Sequence, residues 1–207
     1  MKELWVAVHA ARRALADDLA RLRPEQWGTP SLCDGWDVHD VVAHLVSGAQ
    51  QTRWGFLAAM ARARFDFDRE VASGVAAERR ADPALTLAAF RAVCDSTTTP
   101  PAPLITRTEE AVIHAEDIRR PLGIRHDYPP HWVARAVEHQ ARDRLAGGRA
   151  RVAGVELCAD DCGLRVGGGP KVRGPVLSLL LVASGRAAAL ADCDGPGMDV
   201  LAERLVR

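Results

Sequence analysis

The chain has 207 residues, 48% hydrophobic and 26% charged, which is the balance of a folded protein and excludes global disorder. That length suits one large domain, or one domain with a small appendage, and excludes a third. The 27 basic residues cancel the 27 acidic ones, so no net field draws in a polyanion or an anionic membrane, and neither nucleic acid nor a membrane is an expected partner.

From Leu4 to Leu22 the apolar residues Leu4, Val8, Ala11, Leu15, Leu19 and Leu22 recur at steps of three and four, which predicts a first helix ending before Pro24. Pro24 to Trp36 carries prolines, glycines and tryptophans without a period and reads as a loop anchored by its aromatic residues. Asp37 reads as an N-cap, paired with Asp40 three residues on and with Trp36 just outside as a staple. The helix it opens is expected to run long, through Val41, Val42, His44 and Leu45 towards Leu57 and Met60, with a bend near Gly48 or Gly55.

Phe65 to Gly74 alternates charge with aromatic residues and is expected to be a surface connection. Asp82 caps a helix from Pro83 to Asp95, and the proline-rich Thr97 to Pro103 predicts an extended link. A fourth helix is expected from about Thr106 to Arg120, stopped by Pro121 and Gly123, and a fifth from His131 to Leu145, closed by Gly147 and Gly148. Beyond Gly148 the texture changes. Val152 to Cys158 and Leu164 to Val166 predict a hairpin, and Pro175 to Ala183 and Asp199 to Val206 predict helices. The expected organisation is therefore mainly α, with a helical bundle over 1–148 and a small α+β domain over 149–207.

The N-terminus lacks the apolar core of an export signal, and no apolar run approaches the ~20 residues of a bilayer span, so a cytoplasmic location is expected. Cys33, Cys94, Cys158, Cys162 and Cys193 are odd in number and scattered, which predicts reduced thiols. Cys158 and Cys162 have knuckle spacing but no second pair. Gly167 to Lys171 lacks the ending of a phosphate loop and reads as a turn, and no Gly-x-Ser-x-Gly motif occurs.

The strongest chemical signal is on the fourth helix. Glu110 and His114 are four apart and share one face, both can ligate a metal, and Asp117 lies three further along, placed to accept a hydrogen bond from an imidazole N–H. A solvated salt-bridging face explains the same spacing. His44 is either a hydrogen-bonded core histidine or a ligand converging on the bundle interior.

At Pro30-Ser31-Leu32-Cys33-Asp34-Gly35-Trp36-Asp37-Val38-His39-Asp40-Val41-Val42-Ala43-His44-Leu45 the sequence resembles the signature of the mycothiol-dependent maleylpyruvate isomerase family, whose N-terminal domains are DinB-like metal-binding four-helix bundles. Glu110-Ala111-Val112-Ile113-His114 with Asp117 resembles that family's second metal motif, and Arg119 to Gly123 the run that follows it. Gly174-Pro175 through Leu179-Leu180 to Gly185-Arg186 is similar to its small C-terminal domain. The resemblance implies a divalent metal, usually zinc, on His44, Glu110 and His114, with Asp117 behind it. It also implies mycothiol as thiol cosubstrate and a small electrophile such as maleylpyruvate as substrate.

Two imidazoles, one carboxylate and a free position form an open site able to bind a thiol and lower its pKa, so the thiolate can add to an electrophilic carbon as in an isomerase or an S-transferase. Arg186 is the expected substrate-carboxylate clamp, with Arg53 and Arg107 behind it, and Cys33, in the first motif, is expected to be a packing residue rather than a reactive thiol near the metal. The alternatives are a thiol or metal sensor or regulatory partner without turnover, zinc that only stabilises the bundle, and a non-haem iron oxygenase using the same ligand types. All but two of the basic residues, Lys2 and Lys171, are arginines, which agrees with an actinobacterial, GC-rich source.

Overall fold

The computed structural model describes residues 2–205. The chain divides into two compact units, the first running to His126 and the second beginning at Asp127. As the sequence predicts, the molecule is mainly helical with a small sheet near the C-terminus. The expected boundary at Gly148 falls inside the second unit.

In the first unit α1 (Lys2–Leu19), α2 (Val38–Gln50), α5 (Pro83–Val93) and α6 (Ile105–Arg119) pack as a four-helix bundle. The predicted stripe of α1 is inside it, with Leu4, Val8, Ala11, Leu15 and Leu19 all buried. They meet Val41, Val42, Leu45 and Val46 of α2, Leu87 and Phe90 of α5, and Val112 and Ile118 of α6 in the buried core. Each such Val, Leu, Ile or Phe side chain taken from water contributes about 1.5–3 kcal/mol.

Asp37 opens α2 through a reciprocal capping box. Its carboxylate accepts from the Asp40 amide at 2.8 Å, and Asp40 accepts from the Asp37 amide at 3.1 Å. Arg79 adds a fork to Asp37 at 2.7 and 2.9 Å.

Two expectations for the middle of the chain are corrected. The long second helix does not bend; it breaks at Gln51, and Thr52 caps a separate α3 (Arg53–Arg62) by accepting from the Gly55 amide at 2.9 Å. The predicted surface connection after Phe65 is a helix, α4 (Phe67–Glu78), capped by Asp66, which accepts from the Arg69 amide at 3.0 Å. Arg64 and Phe65 make the turn between them in the left-handed region. α4 lies close along α2, where Gly74 approaches Ser47 so nearly that a β-carbon would stand 2.5 Å from its hydroxyl. α3 buries none of its residues and leaves Trp54 and Leu57 exposed.

The second unit opens with α7 (Pro130–Gln140), shorter than predicted, and a single turn α8 (Gly148–Arg151). The expected hairpin forms as β1 (Glu156–Ala159) and β2 (Arg165–Gly167), antiparallel, with Leu157 opposite Val166. A third strand, β3 (Lys171–Gly174), pairs parallel to β1 on its other side, giving the order β2-β1-β3. Part of the Gly167 to Lys171 segment thus belongs to the strands it joins.

α9 (Val176–Ala183) is buried all round and packs against α7, and α10 (Met198–Leu205) follows. The predicted last helix extends one residue further, to Val206, which lies outside the described residues. The five cysteines are free thiols. No helix among the described residues is long and apolar enough to cross a membrane.

Candidate metal centre

α6 carries an unusual load for a bundle helix: Arg107, Thr108, Glu109, Glu116, Asp117 and Arg119 are all buried along with its apolar residues. Buried charge is tolerated only where it is paired or serves a ligand. Arg119 pairs with Asp18 and Glu116 with Arg120, while Asp117 and Arg107 pair with His114 and Glu110, the residues the sequence singles out.

His114 projects from α6 and His44 from α2, and their rings stand edge to face with centroids 4.8 Å apart. Trp36, expected as a helix staple, lays its ring 5.2 Å from that of His44. Asp117, one turn beyond His114 and fully buried, accepts from His114 Nδ1 at 2.9 Å. In the neutral ring that bond places the proton on Nδ1 and leaves the lone pair on Nε2. The Leu32 amide donates to the Asp117 carbonyl at 3.1 Å, tying the motif loop to α6 beside the histidine pair.

Burial, and next the nearby His114, push the His44 pKa from 6.5 down to about 4; Glu110 and Asp117 oppose the shift. His44 is therefore a neutral imidazole at physiological pH, the form that ligates metals.

Glu110 reaches towards α2 at Gly48, one turn from His44. A β-carbon at Gly48 would stand 2.5 Å from Glu110 Oε1, so glycine is what admits the carboxylate. Its oxygens accept from Arg107 Nη1 at 3.2 Å each, and Arg12 Nη2 stands 3.6 Å from Oε2. Arg107, weighed in the sequence as a substrate clamp, is thus engaged with a proposed ligand.

Among the described residues, the metal-capable side chains whose donor atoms lie within 4.8 Å of one another are Cys33, His114 and Asp117. Cys33 Sγ donates to Asp117 Oδ2 at 3.0 Å and lies 3.8 Å from His114 Nδ1. The set His44, Glu110 and His114 is not gathered as tightly; Arg107 holds the Glu110 carboxylate and Arg12 stands 3.6 Å from it. The donor types nonetheless suit a divalent ion: a neutral histidine, a histidine oriented by a buried carboxylate, and a carboxylate on the same side of the bundle.

Sequence reasoning missed Arg12 and favoured packing for Cys33 over a reactive thiol near the metal. Arg12 had a signal, since it interrupts the apolar stripe at the helical step between Val8 and Leu15, where a charge has no surface reason to be. Arg186 lies in the second unit at the start of a 3-10 turn over Ala187–Asp192, where its Nη1 donates to the Ser184 carbonyl at 2.9 Å.

Residues 8–119, most of the first unit, match the family described as the mycothiol maleylpyruvate isomerase N-terminal domain. The chain belongs to this family. Two uncharacterized proteins, from two strains of Mycobacterium tuberculosis, are each 30% identical over 176 residues, covering 82% of this chain and 82% of theirs. The fold is also that of solved members. Crystal structures of a mycothiol-dependent maleylpyruvate isomerase and of a histidine-to-alanine mutant of one superpose with TM-scores of 0.66 and 0.69, at 16% and 14% identity. Each alignment covers 94% of this chain and 92% of the other.

Proposed function

We propose that the chain is a mycothiol-dependent enzyme that isomerises, or transfers the thiol to, a small electrophile of the maleylpyruvate type, with a divalent metal, zinc by donor chemistry, on His44, Glu110 and His114. Membership of the maleylpyruvate isomerase family supports the reaction class. The observation that carries the site is the Asp117 to His114 hydrogen bond at 2.9 Å, with neutral His44 edge-on to the same ring.

Each residue has a separable task. Asp117 keeps the Nδ1 proton on His114 and so leaves Nε2 as the nitrogen to ligate; burial keeps His44 unprotonated; Gly48 makes room for the Glu110 carboxylate. A divalent ion held there supplies the positive charge that favours a thiolate over a thiol near neutral pH. In an isomerisation the thiolate adds to the conjugated double bond and the resulting single bond rotates. Expulsion of the thiolate then restores the double bond in its other geometry, with the thiol regenerated. In a transfer the addition is followed by protonation, and the thioether is the product.

The test has three readouts. Metal analysis of the purified protein should find about one divalent ion per chain, and His114→Ala should lose most of it while circular dichroism still reports the helices. Calorimetry should find mycothiol binding the metal-loaded form more tightly than the chelated form. Turnover of maleylpyruvate should require mycothiol. Full metal occupancy in the His114 variant, or equal mycothiol affinity for both forms, overturns the reading.

A second reading, a thiol or metal sensor without turnover, is favoured by Cys33, whose thiol stands in the tight cluster with His114 and Asp117. It predicts metal binding that depends on Cys33 and no mycothiol-dependent turnover. A Cys33→Ser variant separates the two.

A further inference from the structure

The Arg12 side chain is 1% exposed inside the bundle. Its Nη1 donates to the Ser96 carbonyl at 3.1 Å, but Nε and Nη2 have no hydrogen-bond partner. The nearest carboxylate oxygen, Oε2 of Glu110, is 3.6 Å from Nη2, too far for a hydrogen bond. That carboxylate is already engaged at both oxygens by Arg107, whose side chain is 9% exposed and whose Nε and Nη2 turn to the Thr106 hydroxyl. Two enclosed guanidinium groups thus face one carboxylate. Three N–H bonds of Arg12 are left without a hydrogen bond, and its charge is balanced only by a carboxylate shared with Arg107, so a second anion is what the pair of cations lacks.

We propose that Arg12 and Arg107 form an anion-binding subsite that takes a carboxylate of the bound small molecule. A neutral acceptor would satisfy hydrogen bonds but leave the charge. A carboxylate satisfies both, and its two oxygens match the planar fork of a guanidinium. Asp117 does not serve this purpose, because its carboxylate is engaged by His114 and Cys33. Arg107 and Glu110, at 9% and 11% side-chain exposure, lie nearer the surface than Arg12, which forms the floor of the cluster at 1%. In this arrangement Glu110 is a placeholder: when its carboxylate turns from the guanidinium groups towards His44 and His114, both are left for the incoming carboxylate. The inference rests on the proposed function only for the identity of that molecule, a compact electrophile bearing a carboxylate. The subsite can be tested without metal or thiol.

The probe is succinate, with uncharged succinamide as its control, titrated calorimetrically into chelator-treated protein. Removing the competing charge with Glu110→Gln should tighten succinate binding by about tenfold or more, the effect of freeing one charge-assisted hydrogen bond. Adding Arg107→Gln or Arg12→Lys to that variant should abolish the gain, and succinamide should show none. If Arg12→Lys fails the circular dichroism check, Arg107→Gln, nearer the surface, carries the test alone. No gain in a folded Glu110→Gln variant, an equal gain for succinamide, or a gain that survives Arg107→Gln overturns the proposal. Because metal is absent throughout, failure of zinc to bind the wild-type protein would remove the metal centre and leave this subsite standing, and the reverse holds equally.

Discussion

Gly48 and Glu110 share one space: the position of a β-carbon on Gly48 is 2.5 Å from Glu110 Oε1, so the carboxylate occupies the volume that any other residue would fill. Gly48→Ala should therefore fold, since the obstructing atom is the far end of a side chain that can swing, and alanine favours the helix by about 1 kcal/mol over glycine. The melting temperature should hold or rise while zinc affinity falls by about tenfold or more, as for other disturbances of ligand placement. Unchanged zinc affinity in this variant would take Glu110 out of the ligand set.

Asp117 acts on the proposed centre through His114. Asp117→Asn retains the shape but removes the charge that holds the Nδ1 proton, and metal affinity should drop by about 10- to 100-fold with the helices intact. Equilibrium dialysis against a zinc indicator measures this directly, and affinity equal to wild type would reduce Asp117 to a packing role.

Acid should destabilise the chelated protein through His44. Its folded pKa, about 4, lies below the ordinary 6.5, so above pH 6.5 the ring is neutral in both states and contributes no slope. Below that, the unfolded chain takes up a proton the folded one refuses, and stability falls until the pH reaches the folded pKa. The loss is about 2 kcal/mol between about pH 6.5 and about pH 5. Urea titrations across this range should show the slope in wild type and a flatter one in His44→Gln; parallel slopes would contradict the burial of the charge-free ring.

Arg186 is tested by kinetics. If its guanidinium binds a substrate carboxylate equally in ground and transition states, Arg186→Ala should raise KM by about tenfold with little change in kcat, and metal content should stay as in wild type. Unaltered KM on a carboxylate substrate would leave Arg186 with its bond to the Ser184 carbonyl as its role.

The parts of the fold legible in the sequence are those where local chemistry and burial agree. The stripe of Leu4, Val8, Leu15 and Leu19 and the cap at Asp37 each state an element and its orientation, and both are found as read. The break after Gln50 and the helix from Phe67 were hidden because Thr52 and Asp66 look like ordinary polar residues until their side chains are seen accepting amides at 2.9 and 3.0 Å. β3 was hidden for another reason: four residues behind Gly-Gly-Pro carry too little alternation to mark a strand, and its pairing with β1 is a tertiary fact. At the candidate site, spacing places Glu110, His114 and Asp117 on one face of a helix but says nothing of what that face meets. The approach of His44, and the pull of Arg12 and Arg107 on Glu110, depend on how separate helices pack, which no periodicity records.

The helix from Arg53 to Arg62 buries none of its residues, and ten residues are too few for a helix to persist in water without tertiary support. Its backbone hydrogen bonds are accordingly among the cheapest in the first unit to open. This segment can melt and re-form while α2 and α6, on which the histidines stand, stay folded. In the hierarchy of native-state openings it belongs at the bottom rung, with amide protons that exchange by local fluctuation and are insensitive to the global stability of the protein.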